Sequence, residues 1–227
     1  MNKAGIRVIR RVAVGDTAAD ICSALDEESR NASIILITGG LGPTADDITK
    51  PLLCEYFNGK MVVNQEALNN VTYLFESVFK RPLTERNIRQ AEVPDTCTVI
   101  QNKRGTAPGM WFEKDGKIYV SMPGVPHEMK GMMENDVIPS LLKHFTTAHI
   151  AHRTLVTFGI GESAIADLIQ DFEEALPKQI KLAYLPNYGM VRLRLTTTGS
   201  DADSLNKELD HQFAILQERS ERIPGYQ

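Results

Sequence analysis

Residues Ser33 to Ile37 read SIILI, a continuous apolar run that passes without a polar break into Thr38-Gly39-Gly40. Four large apolar side chains in a row fit neither face of a half-wetted strand, so the run predicts a strand buried on both sides, the habit of parallel sheets. The flanking sequence agrees. Ile6 to Val14 is rich in β-branched residues and predicts a strand, and Thr17 to Glu28 predicts an amphipathic helix with Ile21 and Leu25 inward. Strand, helix, strand is a crossover unit, and a crossover joins parallel neighbours. In such sheets ligands sit beyond the carboxyl ends of strands, which is where TGGLGPT falls.

Further along, helices are predicted over Thr49 to Tyr56, Gln65 to Lys80 and Thr84 to Ala91, and strands in CTVIQN and MWFEKDGKIYVSM. Asp115-Gly116 between the last two predicts a tight hairpin turn. Pro126 sits where a helix start tolerates it. Near residues 144 to 154 the character changes. A strand from Arg153 to Phe158, a helix from Glu162 to Leu176, strands from Ile180 to Tyr184 and Met190 to Thr198, and a helix from Ser204 to Glu218 predict a small α+β domain. Boundaries at 1–146 and 147–227 follow.

The chain has 227 residues and a formal net charge of −4, with no basic run, so broad attraction to nucleic acid or anionic lipid is not expected. From Ala151 onward eight Lys and Arg face eleven Asp and Glu, and Gly159-Ile160-Gly161 is not a G-x-x-G clamp. No nucleic-acid partner is therefore expected. Cys22, Cys54 and Cys97 stand far apart, which argues against a zinc site or disulfide framework and suits them as apolar filling. No stretch reads as a secretion signal or membrane span, so the expected place is the cytoplasm.

The chemistry gathers in three loops. Gly39, Gly40 and Gly42 let an anion approach bare main chain, and the next helix offers unpaired N–H groups. Asp46 and Asp47 would repel that anion unless a hard cation lay between, so phosphate chemistry assisted by Mg²⁺ or a similar ion is one reading. The plainer reading makes the glycines a turn and an aspartate a helix cap. Neither the P-loop nor the dinucleotide-binding spacing is present. KRGTAPGM and MPGVPHEM repeat the pattern more weakly: Lys103 and Arg104 are solvated charges or phosphate ligands, His127 a surface histidine or a base, Glu128 a dipole partner or a base.

Taken together and in order, TGGLGPTADDITK, NKRGTAPGM and MPGVPHEMKGMM resemble the N-terminal molybdopterin-binding-like domain of the competence/damage-inducible protein A (CinA) family, and FGIGESAIADLI with LAYLPNYGMVRLRLTTTG resembles its KH-like domain. That resemblance implies a three-layer α/β/α domain of the MoaB and MogA type, followed by a smaller α+β domain. It implies divalent-metal-dependent hydrolysis of ADP-ribose-like pyrophosphates, with molybdopterin adenylylation and non-catalytic nucleotide binding or self-association as rivals. Carried over residue by residue, Gly39, Gly40, Gly42, Thr44, Asp46 and Asp47 form the phosphate and metal segment. Gly105, Thr106, Gly109, Pro123, Gly124 and Pro126 line the pocket. Asp46, Asp47 and Glu128 are the catalytic candidates, and a homo-oligomer is expected. Relative to the family's pattern, this sequence lacks a first strand and helix with G-[TD]-E-L-L-x-G and a C-terminal nicotinamide-nucleotide deamidase domain, so an incomplete pocket and no deamidase activity are expected.

Overall fold

The computed structural model describes residues 1, 4–145 and 148–220. It divides into two compact units: Ile9–His144, and Met1–Val8 together with the residues from Phe145 onward.

In the larger unit Thr17 caps α1 (Ala18–Asn31), its hydroxyl accepting the Asp20 N–H at 3.2 Å, so the helix starts where a Thr before an alanine pair allows. β1 (Ile34–Thr38) follows, then α2 (Thr49–Tyr56), the short pair β2 (Met61–Val63) and β3 (Glu92–Pro94), α3 (Gln65–Tyr73) and α4 (Glu85–Ile88). A π-turn, Leu74–Val78, extends α3, and a 3₁₀ turn, Arg89–Ala91, ends the α4 segment. β4 (Thr98–Ile100), β5 (Gly109–Lys114) and β6 (Lys117–Met122) complete the strands, and α5 (Pro126–Met132) leads through a second π-turn into α6 (Ile138–His144).

The main sheet runs β1-β6-β5-β4. Only β1 and β6 are parallel, from Ile34↔Ile118 to Thr38↔Met122; β5 and β4 join antiparallel. The hairpin causes the reversal. Asp115 and Gly116 both take positive φ, +52° and +72°, as a two-residue turn matched to strand twist requires. Alternation along β5 then feeds two helical layers. Met110 and Phe112 face α1 and α2, where Phe57 stacks on Phe112 at 4.1 Å, while Trp111 faces the other way and lies 5.4 Å from His144 at the end of α6. Helices thus flank both faces of a mixed sheet.

Two expectations fail here. Ile6 to Val14 is not a strand: among the described residues no strand lies beside it, and Val8, Ile9, Val12 and Val14 are 40–48% exposed. β1 is not buried on both sides either: among the described residues it pairs with β6 alone, and only Ile35 within it is buried.

The smaller unit packs β7 (His149–Phe158), β9 (Met190–Gly199) and β8 (Ile180–Asn187) into an antiparallel sheet in that order. Leu155, Leu193 and Leu195 bury against Ile165 of α7 (Glu162–Leu168), Phe172 of α8 (Gln170–Ala175), and Leu209 and Leu216 of α9 (Ala202–Ser220). The single helix expected over residues 162–176 breaks at Ile169, whose ψ of +16° leaves the helical range while its side chain stays in the core. No helix of the described residues is long and apolar enough to cross a membrane.

Candidate functional site

Three loops meet at the carboxyl end of the β1–β6 pair, and each junction is made by named groups. The Gly39 N–H donates to the Met122 carbonyl at 3.0 Å, so the first loop is stitched to the end of β6. Gly124 then lies against Gly39; a Cβ on Gly124 would come within 3.3 Å of the Gly39 Cα, so both positions are kept bare by their mutual approach.

A second junction joins the loop after β4 to α5. Asn102 is 2% exposed; its amide donates to the Ala107 carbonyl at 3.0 Å and to Glu128 Oε2 at 2.7 Å, while its Oδ1 accepts the Arg104 N–H at 3.0 Å. Gly105 sits against the Glu128 carboxylate with no room for a side chain between them. Asn70 of α3 donates to the carbonyls of Asn102 and Gly105, at 3.0 and 3.1 Å.

The third junction starts on α2. Buried Lys50 donates to the carbonyls of Gln90 and Glu92, both at 3.0 Å, and the Gln90 side chain accepts the Thr106 hydroxyl. The helix after the first loop is thereby tied to the second loop, and the triangle closes. Burial pushes the Lys50 amine down to about 8, against the pull of Glu92, Cys97 and Asp47. Burial likewise lifts the Cys97 thiol to about 11, which keeps it protonated and unreactive at neutral pH. Cys54 is buried and Cys22 and Cys97 are half-buried, all as free thiols.

Within the first loop Gly39 and Gly40 take φ of +100° and +67°. The N–H groups of Gly40 and Leu41 make no hydrogen bond within the described residues, which is the arrangement that receives an anion. The adjacent aspartates part company. Asp47 folds back, its Oδ2 accepting both the N–H and the hydroxyl of Thr44, at 3.1 and 2.5 Å. Burial acts to raise its carboxyl, but the bonds from Thr44 and the Gly42 N–H outweigh it and hold the group below its ordinary range. Asp46 is exposed, and its side chain bonds to nothing among the described residues.

Other expected residues fall into place unequally. Pro126 is the first residue of α5 and Pro123 is buried just before it. Gly109 opens β5 beside the carboxyl end of β6, pressed against Met132, where a Cβ would come within 3.0 Å of the Met132 Cε. Arg104 lies over Gly131 and donates to the His127 carbonyl at 2.9 Å, which fixes it along the flank of α5. The Ser121 hydroxyl, fully buried one residue before Met122, has no partner among the described residues. Among the described residues no group of three or more His, Cys, Asp and Glu is placed to cage a metal.

Lys50, Gln90, Asn70 and Asn102 were not legible as site residues. Asn102 had a signal, since an Asn after a strand that caps its own loop two residues on is a common turn device; Lys50 and Asn70 act across more than thirty residues of chain, and the Gln90 side chain across sixteen.

Gly105→Ala tests the second junction. The added methyl pushes the Glu128 carboxylate off the buried Asn102 amide, and losing that hydrogen bond to a charged acceptor should cost about 1–3 kcal/mol. The 2.7 Å bond from Asn102 to Glu128 should break, and the Asn102 side-chain amide resonance should move. An unmoved resonance would mean that Gly105 is not what seats this carboxylate.

A mixed sheet with helices on both faces and bare loops converging at one strand end defines a domain class, and the family model described as a probable molybdopterin binding domain matches residues 1–143. A second model, the KH domain of damage-inducible protein CinA, matches residues 152–222. The chain belongs to the CinA family. It is 47% identical over 217 residues to a CinA-like protein of Flavobacterium psychrophilum, covering 96% of this chain and 52% of that one. It is 45% identical over 227 residues to a CinA-like protein of Cytophaga hutchinsonii, covering 100% and 54%. The chain thus spans about half the length of the curated relatives it matches. Among solved structures, the protein CinA with unknown function from Thermoplasma acidophilum shares 26% identity, with a TM-score of 0.48 over 57% of this chain and 73% of that one.

Proposed function

We propose that the three-loop site binds a nucleotide pyrophosphate of the ADP-ribose kind and hydrolyses it with the help of a divalent cation. The observation that carries this reading is the unpaired Gly40 and Leu41 N–H pair on a loop whose φ values keep it open to an anion.

The donor set fits a cation shared with substrate rather than one caged by protein. Mg²⁺ takes one or two carboxylates and completes its shell with phosphate oxygens and water, and Asp46 is a carboxylate free to serve while Asp47 is engaged in the loop. Such an ion neutralises the pyrophosphate and lowers the barrier to attack by water. The chain's own residues do the rest: the glycine loop binds a phosphate, Thr44 and Asp47 hold that loop in shape, and Glu128 is the group available to take a proton from water. Seated by Asn102, Glu128 has its second carboxylate oxygen to use.

Turnover of ADP-ribose with Mg²⁺, followed by ³¹P NMR, tests the assignment. Asp46→Ala should lower kcat/KM by about 100-fold or more with the fold intact, and the Asp46→Ala, Asp47→Ala double variant should be inactive. Undiminished hydrolysis by the double variant overturns it. The matched family description favours one second reading, a pterin site; pterin fluorescence copurifying with a protein that leaves ADP-ribose intact would select that instead. Calorimetric binding of ADP-ribose without release of AMP would select a non-catalytic nucleotide module.

A further inference from the structure

Gln90 carries a buried side-chain amide of which only the oxygen is engaged. The residue is 5% exposed, and its Oε1 lies 2.5 Å from the Thr106 hydroxyl oxygen. Two oxygens that close need a proton between them, and only Thr106 has one to give. The Thr106 oxygen is thereby left as an acceptor. The Gln90 nitrogen has two N–H groups, donates to nothing among the described residues and, unlike the Ser121 hydroxyl, is not sealed from the surface. A free donor on a buried side chain is costly to leave unmet. Its surroundings narrow what can meet it. On one side Lys50 donates to the Gln90 carbonyl at 3.0 Å, and Lys50 follows Thr49, the residue against which Gly40 rests. On the other side Thr106 follows Gly105, which abuts the Glu128 carboxylate. The couple thus stands between the glycine loop and Glu128.

Building on the nucleotide pyrophosphate reading above, we propose that the Gln90 amide nitrogen and the Thr106 oxygen together recognise a free sugar hydroxyl of the bound nucleotide. A hydroxyl can accept from the amide N–H and donate to the Thr106 oxygen through a single atom. An ionised phosphoryl oxygen has no proton for Thr106, so the couple is mismatched to phosphate. The site divides accordingly: the bare N–H groups of Gly40 and Leu41 take the anion, and Gln90 with Thr106 takes the neutral sugar. In a nucleotide the sugar is the part bonded directly to phosphate, which agrees with a couple held beside the loop by Lys50; a base edge stands one sugar further away.

Calorimetry on the full chain with Mg²⁺ is the test. The probes are inorganic pyrophosphate, α,β-methylene ADP-ribose, which cannot be cut between its phosphates, and the deoxy form of that analogue at each ribose hydroxyl in turn. Gln90→Met removes the amide at similar length, and Gln90→Glu keeps an acceptor for Thr106 while giving up the N–H pair; far-UV circular dichroism selects the variants that fold. The parent should bind at least one deoxy form about 10-fold more weakly than the methylene analogue. A folded variant should bind the methylene analogue about 10-fold more weakly than the parent does, lose the discrimination against that deoxy form, and bind pyrophosphate as the parent does. A merely structural Gln90 would weaken pyrophosphate as well or leave the deoxy contrast intact, and either result overturns the proposal. So does a parent indifferent to every deoxy change, the result expected if a base edge met the couple. A parent that binds neither pyrophosphate nor the methylene analogue overturns the nucleotide reading itself, whereas binding of both with no effect of Gln90 on either removes this assignment alone.

Discussion

Gly40→Val will cost the larger unit about 3 kcal/mol and abolish the anion binding proposed for the loop. Gly40 has φ of +67°, where a residue with a side chain pays about 1–2 kcal/mol and a β-branched one is an outlier. Space is closed as well. A Cβ at Gly40 would run into the Thr49 hydroxyl and come within 2.8 Å of the Thr49 Cβ and 3.3 Å of its backbone N. Thr49 cannot step aside, because it is 7% exposed at the start of α2, a helix pinned by Leu53 at 0% exposure. Overpacking of this kind adds about 1–3 kcal/mol. Gly116→Ala is the internal control: φ there is +72°, yet nothing lies within 4 Å, so it carries strain without collision. Chemical denaturation should therefore rank Gly40→Val clearly below Gly116→Ala. Equal midpoints would show that the loop relaxes away from Thr49 and is not the rigid cradle described above. Thr49→Ala removes the hydroxyl, which is the nearest atom, along with the γ-methyl, and leaves the Cβ, so it should restore part of the loss.

The same contrast explains what was legible in the sequence. Asp115-Gly116, Pro126 and Thr17 were readable because each acts on its own backbone within a few residues. The apolar run of β1 was readable as a strand but not as an edge, since an unbroken apolar pattern says that neighbours are wanted without saying that they are supplied. Ile6 to Val14 failed for a related reason: β propensity expresses itself only against a partner. At the site, the glycine loops were visible as bare backbone. The division of labour between Asp46 and Asp47 was not, because it depends on which of two identical side chains the Thr44 N–H can reach. Lys50 was least visible of all. A lysine at the second position of an amphipathic helix looks solvated until Gln90 and Glu92, forty residues on, are folded over it.

That buried lysine gives the second large effect, a stability that rises with pH where most proteins lose it. Lys50 is 6% exposed, and burial lowers its amine from 10.5 to about 8. Between those values the unfolded chain holds the proton and the folded chain has released it, so the unfolded state binds more protons and stability climbs as pH rises. The slope from this one group approaches about 1.4 kcal/mol per pH unit, and the whole window is worth roughly 3 kcal/mol. Below about pH 8 the group is charged in both states, and the cost of burying the ammonium is fully present. Deprotonation need not loosen the site, because a neutral amine keeps two N–H donors and the carbonyls of Gln90 and Glu92 require two. The measurement is a difference against Lys50→Met, which fills similar volume and does not titrate. Its lost hydrogen bonds form an offset that cancels between pH values. Denaturation at about pH 7.5 and about pH 10 should show the parent gaining on Lys50→Met by roughly 2 kcal/mol, and a gap that stays flat would place the Lys50 amine in water.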